Sequence, residues 1–256
     1  MAVSVVICTY KRPGSLNEAL LSLSKQTFKD FEIILLTEKG DLSQIRQTGL
    51  QSARGGIVSF IDDDVYCPPV WLENTVKSFR EGAVGVTGPT YITSEFKKNR
   101  DCLKYRRLRQ YQEWMFKVPT DPGKLSPYGA PSMASNDEGN NYNGEVEYLE
   151  ACNMSVNKYE ALNAGGFDHH YIRTSEWCEV DLALRLGKRG RLVFSRLAAL
   201  YHRPSQAGVY KHRLSTVHRW RNFVYFQRRW IKPSFRRHLY WAFVWTYFKL
   251  KGYGLF

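Results

Sequence analysis

No aspartate or glutamate lies beyond Asp181 in this chain of 256 residues. From Leu182 to Phe256 there are 17 lysines and arginines, while residues 1–181 carry 20 of them against 24 acids. The net charge of +13 therefore belongs to the C-terminal part. Two jobs are implied: a near-neutral body and a basic segment that faces anions. Cysteine is scarce. Cys8, Cys67, Cys102, Cys152 and Cys178 are scattered and no two have C-x-x-C spacing, which argues against a zinc site or a disulfide framework. No apolar run approaches the roughly 20 residues that a spanning helix needs. The longest aromatic-apolar stretch, Leu239–Phe248, has ten. The opening Met-Ala-Val-Ser has no basic-then-apolar leader, so a reducing, cytosolic compartment is expected. There is no internal repeat. With 43% apolar and 24% charged residues, a disordered or collagen-like chain is excluded.

What is present alternates. VSVVIC (3–8), FEIILL (31–36), GIVSFI (56–61) and residues 83–87 are short apolar runs that read as buried strands. Between them, Pro13 or Ser15 opens a helix to about Gln26, and residues 41–53 and 70–79 read as two more. This βαβαβαβ order predicts an α/β fold, a mostly parallel sheet sandwiched by helices. Ligands of such sheets bind beyond the carboxyl ends of the strands. Thr9–Arg12, Thr37-Glu38 and Asp62–Asp64 all fall there. Further on, residues 97–116 suggest a basic helix, and 119–144 a long Pro/Gly/Ser/Asn-rich loop of the kind that serves as a lid. Residues 146–156 look strand-like, 158–164 and 179–188 helical, and 192–194 a strand.

Asp62-Asp63-Asp64 follows a buried strand directly. Adjacent carboxylates repel one another and resist desolvation, and Mg²⁺ or Mn²⁺ relieves that cost while bridging to phosphates. A solvated acidic turn or a helix cap is the competing reading.

The segments VSVVICTYKRP, FEIILLTE and IRQTGLQSARGGIVSFIDDDV resemble the nucleotide-sugar-binding half of family 2 glycosyltransferases with the GT-A fold. LEACNMSVNKYEALNAGGFD and CEVDLALRLGKRG are similar to that family's acceptor half. The likeness covers about residues 3–203, in the family's order. It implies a glycosyltransferase unit over 1–203, divided into a donor half (1–93), a variable insertion (94–145) and an acceptor half (146–203), followed by a helical tail (204–256). It also implies donor contacts from Thr9, Tyr10, Arg12, Glu38, Arg46, Asp62 and Asp63. The D-x-D position makes Asp64, with Asp62 and His202, the expected Mn²⁺ or Mg²⁺ ligands. Glu179 takes the place of the general base, with Glu176 as its competitor. Trp177 and Asp181 are expected at the acceptor. The sequence departs from the family at Glu38, at Gln47 (usually Asn) and at Cys178 (usually an acid). The implied activity is metal-dependent inverting transfer from a nucleotide-diphosphate sugar to a hydroxyl of a glycan or lipid-linked acceptor. A nucleotidyltransferase, or a non-catalytic membrane- or nucleic-acid-binding module on a degenerate body, are the alternatives.

The tail interleaves cations with aromatics: His218-Arg219-Trp220-Arg221, Arg228-Arg229-Trp230, Arg236-Arg237-His238. Trp and Tyr favour a membrane boundary and Lys and Arg favour anionic headgroups, about 1 kcal/mol per near-surface cation. Peripheral attachment to the cytoplasmic membrane face is therefore expected ahead of nucleic-acid binding. Leu239–Phe248 is apolar all round, so homo-oligomer contact through these helices is a further expectation.

Overall fold

The computed structural model describes residues 2–92, 103–132, 140–203 and 213–252. Strands β1 (Val3–Cys8), β2 (Phe31–Leu36), β3 (Ile57–Asp62), β5 (Ala83–Thr87), β7 (Gly144–Glu145), β8 (Asn153–Asn157) and β9 (Arg191–Phe194) form a seven-stranded sheet in the order β2-β1-β3-β8-β5-β9-β7. A second sheet joins β4 (Val65–Tyr66), β10 (Leu200–His202) and β6 (Thr90–Ile92). Helices α1 (Pro13–Ser24) and α3 (Trp71–Arg80) supply Leu23, Trp71, Leu72 and Val76 to the core on one face of the large sheet, against Val3, Val5 and Ile7. On the other face, Val6, Val58 and Phe60 meet Leu50 of α2 (Leu42–Ser52), Ala161 of α5 (Lys158–Asn163) and Leu182 of α6 (Cys178–Leu186). The runs of β1 and β3 are continuous because both faces of these strands are covered, whereas β2 is not the buried strand expected: it lies at the sheet edge with Ile33 and Leu35 exposed.

The expected α/β sandwich is present, with one change in pairing. β8 lies between β3 and β5 and is antiparallel to both. The stretch 146–156 is accordingly not one strand: the chain turns through 146–152 before β8 begins. Gly49 lets α2 close on β1, since a Cβ there would lie 2.5 Å from a Val6 methyl. At the β1–β2 edge, Glu32 accepts from the Ser4 hydroxyl (2.7 Å), the Arg54 backbone N–H (2.7 Å) and the Arg54 guanidinium (2.7 Å). These hold its carboxyl at about 2, against an ordinary 4.5. A depressed carboxylate adds stability above its unfolded value and loses it as pH falls toward the folded one. Glu32→Gln is expected to cost about 1.5 kcal/mol at neutral pH. In urea melts, the gap from wild type should shrink between pH 4.5 and about 2.

The helix expected over 97–116 is α4 (Leu103–Phe116); residues 97–102 lie outside the described ones. The first part of the expected lid is held in place. The Ser126 hydroxyl accepts from the backbone N–H groups of Tyr128 and Ala130, and Gln227 donates to the Tyr128 carbonyl at 3.0 Å. Residues 133–139 lie outside the described ones. The tail helices α7 (Arg213–Trp230) and α8 (Phe235–Gly252) pack on the body rather than trailing from it. Phe223 and Phe226 are fully buried, and Phe116, Phe223, Tyr240 and Val244 form a third apolar cluster among α4, α7 and α8. Among the described residues, no helix is long and apolar enough to cross a membrane.

Candidate active site

β1 and β3 are parallel neighbours in the register Cys8↔Asp62, so the Thr9–Arg12 loop and the aspartate triplet leave the sheet at one rim. Successive residues leaving a strand alternate in direction. Asp63 turns inward, is 3% exposed, and accepts from the Thr9 hydroxyl (2.6 Å) and the Arg12 guanidinium (2.8 Å). Thr9 and Asp63 each satisfy the other's buried polar group. Arg12 also reaches Asp64 at 3.2 Å, so its guanidinium joins two carboxylates of the triplet. Tyr10 stays open at the rim, 44% exposed, with the Lys11 ammonium 5.4 Å from its ring centre. Glu38 is exposed just past β2.

Asp62 and Asp64 both meet His202. β10 pairs with β4 so that His202 lies opposite Val65, and its Nε2 is 3.0 Å from Asp64 Oδ1 and 4.0 Å from Asp62 Oδ2. One ligand atom from each of the three lies within 4.8 Å of the others. Burial disfavours the His202 cation, but the hydrogen bond to Asp64 and the charges of Asp62 and Asp64 outweigh it, and its pKa lies above the ordinary value. Burial raises Asp62, opposed by Arg46 and His202. Two carboxylates and an imidazole fit a divalent cation. Carboxylate oxygens suit Mg²⁺ or Mn²⁺, and the imidazole adds a nitrogen donor. Asp168, His169 and His170 form a second group of suitable spacing, but the Asp168 carboxylate already accepts from Tyr225 and Arg229.

Glu179 stands at the start of α6, its side chain 17% exposed. The approach to this helix is strained: Arg173, Ser175 and Trp177 all have positive φ, at 59°, 51° and 76°. Such angles in non-glycine residues persist only where neighbours impose them. Here the start of α2 does so. The backbone N–H of Leu42 donates to the Arg173 carbonyl (2.8 Å), that of Ser43 to the Ser175 hydroxyl (3.0 Å), and the Ser43 hydroxyl to the Tyr171 carbonyl (2.6 Å). The same helix carries Arg46, which is 4% exposed. Its guanidinium lies 3.8 Å from Asp62 and 3.9 Å from Glu179. It thus stands between the two halves of the site. Burial raises the Glu179 pKa and Arg46 opposes the rise.

Residues 34–132 match the model of Glycosyl transferase family 2, a span that includes Arg46 and Asp62–Asp64 and stops short of Glu179 and His202. This stretch, under half of the chain, resembles family 2 glycosyltransferases. The chain is 28% identical over 118 residues to a glucosyl-dolichyl phosphate glucuronosyltransferase of Haloferax volcanii, covering 34% of this chain and 38% of that protein. It is 23% identical over 144 residues to the uncharacterized glycosyltransferase EpsJ of Bacillus subtilis, covering 42% of each. The chain therefore spans well under half the length of these relatives. Its fold is similar to that of GalNAc-T7 solved with UDP, GalNAc and Mn²⁺ (TM-score 0.57, 11% identity, 81% of this chain and 44% of the other). It is also similar to that of S. aureus TarS 1-349 in complex with UDP-GlcNAc (TM-score 0.56, 13% identity, 99% and 73%). The GT-A fold is shared with both.

Asp181 and Trp177, the two residues expected at the acceptor, are both engaged by neighbours within the protein. Asp181 is fully buried and accepts from Arg185 (2.9 Å) and from the Trp230 indole (2.7 Å), with Arg229 at 3.3 Å. It fastens α7 to α6 and does not face a cleft. Trp177 is half-buried and stacked on Phe226, ring centres 4.7 Å apart. Glu176, the other candidate base, accepts from the Thr174 hydroxyl (2.6 Å) and pairs with Arg219 (2.7 Å). The departures also acquire reasons. Gln47 accepts from the Phe167 N–H at 2.8 Å and packs where a Cβ on Gly166 would sit, so it pins the Gly165-Gly166 turn. Cys178 is buried, its thiol 3.5 Å from Glu179 and 3.7 Å from Arg46. A third carboxylate there would compete for the one guanidinium that already serves Asp62 and Glu179. Sequence reasoning missed the bridging position of Arg46 because its two partners lie 16 and 133 residues away.

Proposed function

We propose that this chain is an inverting, metal-dependent glycosyltransferase. It moves a sugar from a nucleotide-diphosphate donor to a hydroxyl of a glycan or lipid-linked acceptor at the cytoplasmic membrane face. The observation that carries the reading is the convergence of Asp62, Asp64 and His202 with Glu179 around the buried Arg46. Asp62, Asp64 and His202 would hold Mn²⁺ or Mg²⁺, which would offset charge growing on the leaving diphosphate. Glu179 takes the acceptor hydroxyl proton as that oxygen attacks the anomeric carbon opposite the diphosphate. Arg46 opposes the effect of burial on the Glu179 carboxylate and fixes it relative to Asp62. Tyr10, at the open rim, lies on the donor side. UDP is the nucleotide to test first, because both structural relatives described above were solved with UDP or a UDP-sugar.

The test is titration calorimetry of the whole chain with UDP, with MnCl₂ and with EDTA. Binding is expected only with the metal, and Asp62→Ala should weaken it by about tenfold or more, the order of a lost ligand. Equal UDP binding in EDTA would remove the metal from the proposal.

A further inference from the structure

Outside the site, the two most exposed large apolar side chains among the described residues, Phe235 and Trp114, lie on two helices that pack together. Phe235 is 78% exposed and Leu239 39%, one turn apart on α8, and Phe243 follows at the next turn. Residues at i, i+4 and i+8 share a helix face. On α4, Trp114 is 74% and Tyr111 45% exposed. Tyr111 joins the two sets, its ring 6.2 Å from Trp114 and 6.3 Å from Phe243. α4 and α8 are fixed to each other behind this stripe by Phe116, which lies 4.9 Å from Tyr240 and 5.5 Å from Phe243. Exposed cations lie on or next to the same two helices: Lys117 after α4, Lys232 before α8, and Arg236 and Lys249 on α8. Glu113 is the sole acid in the sequence of either helix.

We infer that Trp114, Tyr111, Phe235 and Leu239 form one interfacial patch that docks on an anionic lipid bilayer. The occupant follows from the chemistry. Aromatic rings with a polar atom suit the headgroup boundary, and the cations on or next to these helices suit acidic headgroups. The partner is also set by what is missing, since residues 182–256 hold no acid to oppose it. The inference deepens the membrane part of the proposed function and rests on it. It adds that α4, from the variable insertion, shares the contact with the C-terminal helices.

The experiment is co-sedimentation of the whole chain with vesicles of neutral phosphatidylcholine or of phosphatidylcholine with 30 mol% phosphatidylglycerol, the chosen probe composition. Binding to the acidic vesicles is expected, with Trp114→Ser/Phe235→Ser weakening it at least tenfold while UDP–Mn²⁺ affinity is retained. All these side chains are exposed, so the double variant keeps the core intact; circular dichroism checks it. Wild type that ignores acidic vesicles, or binds RNA in their place, overturns the inference. So does a double variant that binds like wild type while Lys232→Glu/Arg236→Glu does not, because charge alone would then suffice. UDP–Mn²⁺ binding is read separately, so loss of the donor site and loss of the patch are distinguishable.

Discussion

Glu179→Gln is expected to lower sugar transfer by about 10²–10⁴-fold, the usual worth of a positioned general base, while UDP–Mn²⁺ affinity is unchanged. The amide keeps the size of the side chain and its place near Arg46, but cannot take a proton. The site of the loss matters. Asp62 and Glu179 lie on opposite sides of Arg46, so an effect on donor binding would mean that the carboxylate acts through the guanidinium rather than on the acceptor. The measurement is single-turnover transfer beside calorimetric donor binding on the same variant. Transfer at the wild-type rate would remove Glu179 as the base. The pH profile adds a second readout. Burial raises the Glu179 pKa above 4.5, toward the working range of a base. Transfer should therefore fall as pH drops through that raised value, because the protonated acid accepts nothing. The same acidic limb should be missing from the residual activity of Glu179→Gln.

The legible part of this molecule was what short-range chemistry writes. VSVVIC and FEIILL are strands over the residues expected of them, since continuous apolar, β-branched runs bounded by polar loops have few other uses. The triplet at the end of GIVSFI marked the rim for the same reason. Its division of labour was not legible as a string of three aspartates: Asp63 meets Thr9 and Arg12, Asp62 meets His202, and Asp64 meets both Arg12 and His202. Long-range partners were hidden. β8 enters the sheet about ninety residues after β3, and nothing local announces that it runs antiparallel. The basic tail misled in an instructive way. Its excess of arginine reads as a surface for external anions, yet part of it answers acids of the body. Arg219 pairs with Glu176 and Arg229 with Asp168 and Asp181. The charge asymmetry along the sequence is partly a record of which halves fold together. Cutting the chain at Arg219 would strip buried Phe223 and Phe226 from the core, not merely remove an anchor.

Asp181→Ala is expected to destabilise the fold by about 3–5 kcal/mol, the cost of removing one partner from a buried ion pair. For a chain of this size that is on the order of 10 °C in melting temperature. The Asp181 side chain is fully buried and receives Arg185, the Trp230 indole N–H and Arg229. Removing the carboxylate leaves a guanidinium only 15% exposed and an indole donor without their shared acceptor. Arg185 would remain tethered by the Ala164 and Gly166 carbonyls, so the Gly165-Gly166 turn should hold better than α7 does. Asp181→Asn separates the terms. It keeps an acceptor for Trp230 and loses the charge facing Arg185 and Arg229, so it should fall between wild type and alanine. An acceptor-binding role predicts the reverse: a normal melting temperature with a raised KM for the acceptor. Differential scanning calorimetry beside acceptor kinetics decides between them. A variant that melts like wild type would show that the burial of this aspartate does not join the C-terminal helices to the catalytic body.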